Sequence, residues 1–300
     1  MHSRGRITVA FTKENTIIGF IGVGVMGRSM AGHLLDAGYA VHIYNRTKTK
    51  ASELIGRGAE WEESVALLSQ KCNVIIAIVG FPQDVQEVFL GSDGIIANAT
   101  SGAYIIDMTT SKPDLAVEIY KKAKEKGVLA LDAPVSGGDM GAREARLSIM
   151  VGGDKKAFDE VLPILEIMGK NIVLQGPAGS GQHCKMCNQI SIAAGMLGVC
   201  EALSYAYKSG LDPKVVLKSI ENGAAASWTL SNLVPRMIDG NFDPGFYVKH
   251  FIKDMSIAVE SANAMDIDAP GLKLALEMYE KLASRGGEDF GTQALYKLYS

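Results

Sequence analysis

The chain has 300 residues, 47% of them hydrophobic and 21% charged, with a formal net charge of −3. That length exceeds one compact core and implies two domains. The lack of a basic excess argues against a nucleic-acid partner, and no apolar run reaches the roughly 18–20 residues that span a bilayer.

The opening "MHSRGRITVAFTKENT" has no apolar h-region and no small-residue cleavage site, so residues 1–15 read as an N-terminal extension rather than a secretory signal. A transit peptide is disfavoured by Glu14. From residue 16 short β-branched runs alternate with amphipathic helices. "TIIGFIG" (16–22) reads as a buried strand, "VGVMGRSMAGHLLDAG" (23–38) as a turn and helix, and "YAVHIYNR" (39–46) as a second strand. A helix is expected over 47–58, a third strand over 73–80, a turn at Phe81-Pro82 and a short helix over 84–91. Strands at 103–109, 128–135 and 145–153 surround a helix over 112–127 that carries Pro in its first turn and Gly127 at its end. The alternation predicts an α/β domain over 16–179, a doubly wound, mostly parallel sheet of Rossmann type.

After about Val173 the pattern changes. "GPAGSGQ" (176–182) is a glycine-rich joint, followed by a helical pattern over 181–208. Its middle, "ISIAAGMLGVCEAL", is apolar on nearly every side, and Gly195 and Gly198 would admit a neighbouring helix. Such a helix must be covered by its own domain, the sheet domain or a second subunit. Further helices are expected over 212–223, 227–240, 250–266 and 270–286, so residues 180–300 form an all-α domain joined through a long interdomain helix.

Gly22-x-Gly24-x-x-Gly27, with Val25 and Met26 between the last two glycines, stands directly between a strand and a helix. There Gly22 makes the tight turn, Gly24 admits a pyrophosphate, and Gly27 lets helix and strand approach. A dinucleotide site selects its cofactor at the end of the second strand, where NAD binders usually carry a carboxylate. Here the strand ends in Asn45, Arg46 and Thr47, a set that favours the 2′-phosphate of NADP. The alternative is that Arg46 is only a solvated charge.

"LDAPVSGGDMGA" comes straight off a strand. Its Ser136, Gly137 and Gly138 offer a hydroxyl and closely spaced amides to a small carboxylate, or else form a plain glycine turn. Lys185 and Asn188, at i and i+3 in the long helix, share a face. A lysine in an apolar helix is costly unless paired or functional. Facing a cleft it can protonate a substrate oxygen as hydride reaches carbon, with Asn188 orienting that oxygen or the lysine. The bland alternative is a lysine that snorkels to solvent. Cys184 and Cys187 interleave with this pair beside His183. Zinc wants four ligands and no second Cys-x-x-Cys exists, so the cysteines read as packing and no metal is expected. Four cysteines without a secretion signal point to a reducing, cytoplasmic setting. Lys253-Asp254 is either a cofactor-side pair or a surface ion pair, and Trp228, Phe246 and Phe251 are pocket or core.

Taken together, "GFIGVGVMG", "DMTTSKP", "DAPVSGG", "GSGQHCKMCNQ" and "FYVKHFIKDMSIA" resemble the β-hydroxyacid dehydrogenases, which include 3-hydroxyisobutyrate dehydrogenases and small-semialdehyde reductases. The motifs run in order from about residue 17 to the end. The resemblance implies that Lys185 is the acid/base with Asn188 as its neighbour, and that Ser136, Gly137 and Gly138 bind substrate. It places Thr110 and Lys253 near the nicotinamide end of the cofactor, and "NRT" is similar to the NADP-preferring members. The family is usually dimeric or tetrameric, so a homodimer or homotetramer acting on a small carboxylate-bearing substrate is expected. Gln189 stands where many members have a second Asn, and "IVGFPQ" replaces the commoner "MLP". The expected chemistry is reduction of a small aldehyde- or keto-acid with NADPH. The rivals are a 3-hydroxyisobutyrate dehydrogenase working oxidatively and a non-catalytic dinucleotide-binding module.

Overall fold

The computed structural model describes residues 11–300, and the first ten residues of the expected extension lie outside the described residues. The strands are β1 (Ile17–Ile21), β2 (Ala40–Tyr44), β3 (Glu60–Trp61), β4 (Val74–Ala77), β5 (Tyr104–Asp107), β6 (Leu129–Asp132), β7 (Val135–Ser136), β8 (Leu147–Gly152) and β9 (Gly169–Gly176). They form one sheet in the order β3-β2-β1-β4-β5-β6-β8-β7, with β9 on β8. Every pair from β3 to β6 is parallel, while β8 runs antiparallel to β6 and β7. The sheet is therefore mostly parallel, as expected.

Helices α1 (Val25–Asp36), α2 (Ser52–Gly56), α3 (Val65–Lys71), α4 (Pro82–Leu90), α5 (Ile95–Asn98), α6 (Pro113–Glu125), α7 (Gly138–Arg143) and α8 (Lys155–Leu165) connect these strands. Because helices cover both faces, β4 is buried along its whole length. Its side chains alternate between two cores: Val74 and Ile76 join Ile18 and Phe20, whereas Ile75 and Ala77 join Ile21 and Ile105. The strand order reverses between β1 and β4, which opens a crevice at their carboxyl ends.

Several elements differ from the sequence expectation. The helix expected over 47–58 is a 3₁₀ turn, Lys48–Ala51, followed by the short α2, with Gly58 at φ +105° ending it. The strand expected from 145 starts at Leu147, because Gly138–Arg143 coils into α7 and Ala145 leaves it at φ +51°. Helices α3, α5 and α8 and strands β3 and β9 fill stretches that carried no clear signal. Part of the extension belongs to the sheet unit. Phe11 is buried edge-on to Tyr104 at 4.8 Å, and the Asn73 side chain ties Ile17 N and Asn15 O.

The chain divides into two compact units, Met1–Lys185 and Met186–Ser300. The division falls inside α9 (Ser180–Lys208), three residues beyond the glycine-rich joint at 176–182, because the first turn of α9 is fastened to the sheet unit. The second unit is all-α: the rest of α9, then α10 (Pro213–Ile220), α11 (Trp228–Ile238), α12 (Val248–Ala264) and α13 (Pro270–Leu282). Its core centres on Phe251, Met255 and Tyr279; the Phe251 and Tyr279 rings meet edge-on at 5.1 Å, and Phe246 packs beside Phe251. Trp228 is not core but 60% exposed at the start of α11.

Helix α9 corrects one expectation. Its 18-residue apolar window, with a mean hydropathy of 1.3, is long and apolar enough to cross a membrane by composition, a measure that core helices of soluble proteins also meet. Only 33% of that window is buried within the chain. A Cβ on Gly195 or Gly198 would meet nothing within 4 Å among the described residues.

Candidate functional site

At the carboxyl end of β1 the backbone turns at Gly22 with φ +94°, a conformation that suits glycine. A Cβ on Gly27 would lie 1.9 Å from Gly22 O, so α1 can lie this close to the turn only without a side chain there. Gly24 caps α1 with no side-chain hydrogen bond, no acidic residue occupies the first turn, and a Cβ on Gly24 would meet nothing within 4 Å. The result is an open cradle against uncapped amides at a helix N-terminus, which fits a pyrophosphate.

Neighbouring strand ends are bonded to this loop. Gly22 N donates to Tyr44 O at 3.0 Å and Val23 N to Asn45 Oδ1 at 3.2 Å, while Asn45 Nδ2 donates to Thr47 O. Asn45 therefore fastens the glycine loop to the end of β2, a structural duty its sequence position did not reveal. Arg46 is 80% exposed and its Nη1 lies 3.1 Å from Asp84 Oδ1; the other oxygen of Asp84 accepts from Phe81 N to cap α4. Thr47 is exposed and opens the 3₁₀ turn. The "GFPQ" departure is thus a cap: Pro82 sits in the first turn of α4.

The next strand ends carry two more loops of the same unit. After β5, Asp107 Oδ1 accepts from Thr109 N, and Thr109 Oγ1 accepts from Val79 N at 2.9 Å beyond β4. Half-buried Thr110 follows. After β6, half-buried Ser136 leads into Gly137 and Gly138 at φ +131° and +62°, so the turn depends on both glycines.

Lys185 lies in the second turn of α9 and is only 6% exposed, so it does not snorkel to solvent. What holds that helix end was not visible in sequence. Asp132, at the end of β6, accepts from Gly179 N at 2.7 Å and from Gln182 N at 2.9 Å. Burial keeps its carboxyl above the usual carboxylate range, although the amides of Gly179, Gln182 and Gly181 pull it down. Gln182 is fully buried and bonds the loop after β5. The run "GSGQ" was the only available signal, and it read as a joint.

In the second unit a chain of contacts starts at Asn188. Its Nδ2 donates to Gln189 Oε1 at 2.7 Å, and Gln189 Nε2 donates to Asp254 Oδ2 at 2.6 Å. Lys253 Nζ lies 2.8 Å from Asp254 Oδ1, an ion pair only 11% and 2% exposed and so not a surface one. Gln189, a departure from the commoner Asn, is the link between Asn188 and the Lys253-Asp254 pair. One turn earlier in α12, burial pushes the His250 imidazole below its usual range, and the Lys253 charge adds to this.

The cysteines behave as packing or plain surface. Cys72 and Cys200 are buried, and burial pushes each thiol up to about 12. Cys184 is half-buried and Cys187 is exposed. Among the described residues one group could offer three ligand atoms to a metal, His42, Glu60 and Glu62, far in sequence from Cys184 and Cys187. Glu62 there already accepts from Lys71 Nζ at 2.6 Å and meets His42 Nδ1 at 2.7 Å.

The sheet order, glycine cradle and strand-end loops define a nicotinamide-dinucleotide oxidoreductase. Residues 17–176 match the family model described as the NAD binding domain of 6-phosphogluconate dehydrogenase. Residues 179–299 match that described as NAD-binding of NADP-dependent 3-hydroxyisobutyrate dehydrogenase. The chain is 62% identical over 282 residues to the uncharacterized oxidoreductase YkwC of Bacillus subtilis, covering 94% of this chain and 98% of that one. It is 38% identical to the 2-hydroxy-3-oxopropionate reductase of Escherichia coli, covering 93% and 95%. Among solved structures, Mycobacterium tuberculosis 3-hydroxyisobutyrate dehydrogenase with L-serine superimposes with a TM-score of 0.86 at 30% identity, covering 94% and 98%. The chain belongs to the β-hydroxyacid dehydrogenase family and acts on CH–OH groups with a nicotinamide dinucleotide.

Gly27→Ala tests the cradle. The overlap with Gly22 O forces α1 away from β1 at a cost of about 1–3 kcal/mol. The variant should melt lower than wild type and lose most of its reduced-cofactor fluorescence enhancement; wild-type binding would refute the close-approach role.

Proposed function

We propose that this protein is an NADP-dependent reductase that converts a small aldehyde- or keto-acid, of the semialdehyde or glyoxylate type, to its hydroxy acid. The observation that carries this reading is Lys185, buried in the second turn of α9 just beyond the residues that Asp132 fastens. The cofactor, when bound, supplies the hydride. Lys185 Nζ donates a proton to the carbonyl oxygen as negative charge develops there, and takes it back in the oxidative direction. The Ser136 hydroxyl and the Gly137 and Gly138 amides hold the substrate carboxylate. Asn188 and Lys253 keep the orienting and cofactor-side roles that the family resemblance implies. No metal has a part in this chemistry.

Selection of NADP rests on Arg46 and on the absence of a carboxylate at 45–47. A charged hydrogen bond of about 1.5–3 kcal/mol corresponds to roughly 10- to 100-fold in affinity. Arg46→Ala should therefore weaken NADPH by that factor and leave NADH nearly unchanged. Equal losses for both cofactors, measured by fluorescence titration, would show that Arg46 does not read the 2′-phosphate.

The deciding experiment for the substrate is a panel of glyoxylate and of succinic, tartronate and methylmalonate semialdehydes with NADPH, following loss of the reduced cofactor. A second reading, oxidation of 3-hydroxyisobutyrate, is favoured by the description of the model matched over 179–299. Faster turnover of 3-hydroxy acids with NADP or NAD than of any semialdehyde with NADPH would select it. The uncovered apolar face of α9 supports a homodimer or homotetramer, and the low cysteine count, four in 300 residues, supports a reducing, cytoplasmic setting.

A further inference from the structure

We propose that Gln182 is a positioning residue that locks the cofactor-side loop after β5 to the turn of α9 preceding Lys185. Its side chain is 0% exposed and spends both ends on the backbone of one short segment. Nε2 donates to Thr109 O at 2.7 Å, and Oε1 accepts from Ser111 N at 2.9 Å. The two bonds bracket Thr110, the residue assigned to the nicotinamide end of the cofactor. Thr109 is fixed again from the sheet side, its hydroxyl accepting from Val79 N and its amide donating to Asp107.

Gln182 is itself held by its backbone. Its own amide donates to Asp132, which also takes Gly179 N, so the clamp and the helix start share one anchor. Lys185 stands three residues further along the same helix. Internal bonding of the loop includes the Thr109 amide to Asp107 Oδ1 but leaves one buried group over. Ser111 Oγ, in a residue only 1% exposed, has no hydrogen-bond partner among the described residues. A buried hydroxyl in that condition is a cost, and a bracketing amide with one donor and one acceptor offsets it without adding charge beside the proton donor. The consequence is a fixed distance between the loop carrying Thr110 and the lysine, which hydride and proton delivery to adjacent atoms requires.

This inference rests on the reading of Lys185 as the proton donor, and its test separates the two. Gln182→Met keeps the volume and removes both bonds. Affinity for 2′,5′-ADP, the adenosine half of the cofactor, should stay within about twofold of wild type, as expected where uniform binding is untouched. Affinity for NADPH should fall relative to that fragment. kcat on the fastest semialdehyde should drop on the order of 10- to 100-fold, the effect of about 1 Å of misplacement. Gln182→Glu keeps the acceptor for Ser111 N and should recover part of kcat; if the Met variant does not fold, the Glu variant carries the same comparison. Unchanged kcat and an unchanged NADPH-to-fragment ratio would overturn the clamp. So would an equal loss of fragment and NADPH binding, which would mark Gln182 as merely structural. Full turnover by Lys185→Ala would instead remove the reading on which the clamp depends.

Discussion

Lys185→Ala should lower kcat by about 10²- to 10⁴-fold, the usual contribution of a positioned general acid. Lys185 is buried on a helix fastened at its first turn, so removing the ammonium deletes the donor without freeing the helix. The pyrophosphate cradle at Gly22 to Gly27 is built from other elements, and NADPH affinity should remain near wild type. Lys185→Arg is the sharper probe. It retains the positive charge, but a guanidinium holds its proton far above neutral pH and makes a poor acid. If transfer of the proton is the role, arginine should fail nearly as badly as alanine; if charge alone matters, arginine should restore much of the rate. Stopped-flow reduction of the preferred semialdehyde separates the two, and wild-type turnover in either variant would end the assignment.

Asp132→Ala should be the most destabilising single change near the site. It leaves the buried amides of Gly179 and Gln182 without acceptors, at about 1–3 kcal/mol each, partly relieved by water. A total loss of about 2–4 kcal/mol, read from urea unfolding, is expected. Asp132→Asn isolates the charge. Because burial raises the folded-state pKa above the ordinary value of about 3.9, the carboxyl's titration-linked stability is fully present below that value. It is lost as pH rises through the folded-state pKa. The advantage of wild type over the Asn variant should therefore be largest near pH 4 and shrink toward neutrality. A constant difference across that range would mean that the group does not titrate there.

How much of this was legible depends on the range of the interactions involved. Gly22, Gly24 and Gly27 act within a single turn, so their spacing was enough to find the cradle. Lys185 and Asn188 are three residues apart on a helix, and their shared origin needed only its period. The short α3 and the two-residue β3 were less legible, because brief elements carry little periodicity and borrow their stability from neighbours. Gly195 and Gly198 meet nothing within 4 Å among the described residues, since a glycine in a helix permits a neighbour but does not supply one.

The contacts that fasten the helix carrying the lysine belong to another scale. Asp132 reaches Gly179 and Gln182 across 47 and 50 residues, Gln182 reaches Ser111 and Thr109 across 71 and 73, and Gln189 reaches Asp254 across 65. Nothing in "SGQHCKMCNQ" marks its two glutamines above its two cysteines. Local spacing by itself determined the dinucleotide loop, the order of a parallel sheet and then helices, and the lysine. Only the tertiary structure decided what holds them, because a buried amide's worth comes from donors and acceptors that the chain brings together after folding.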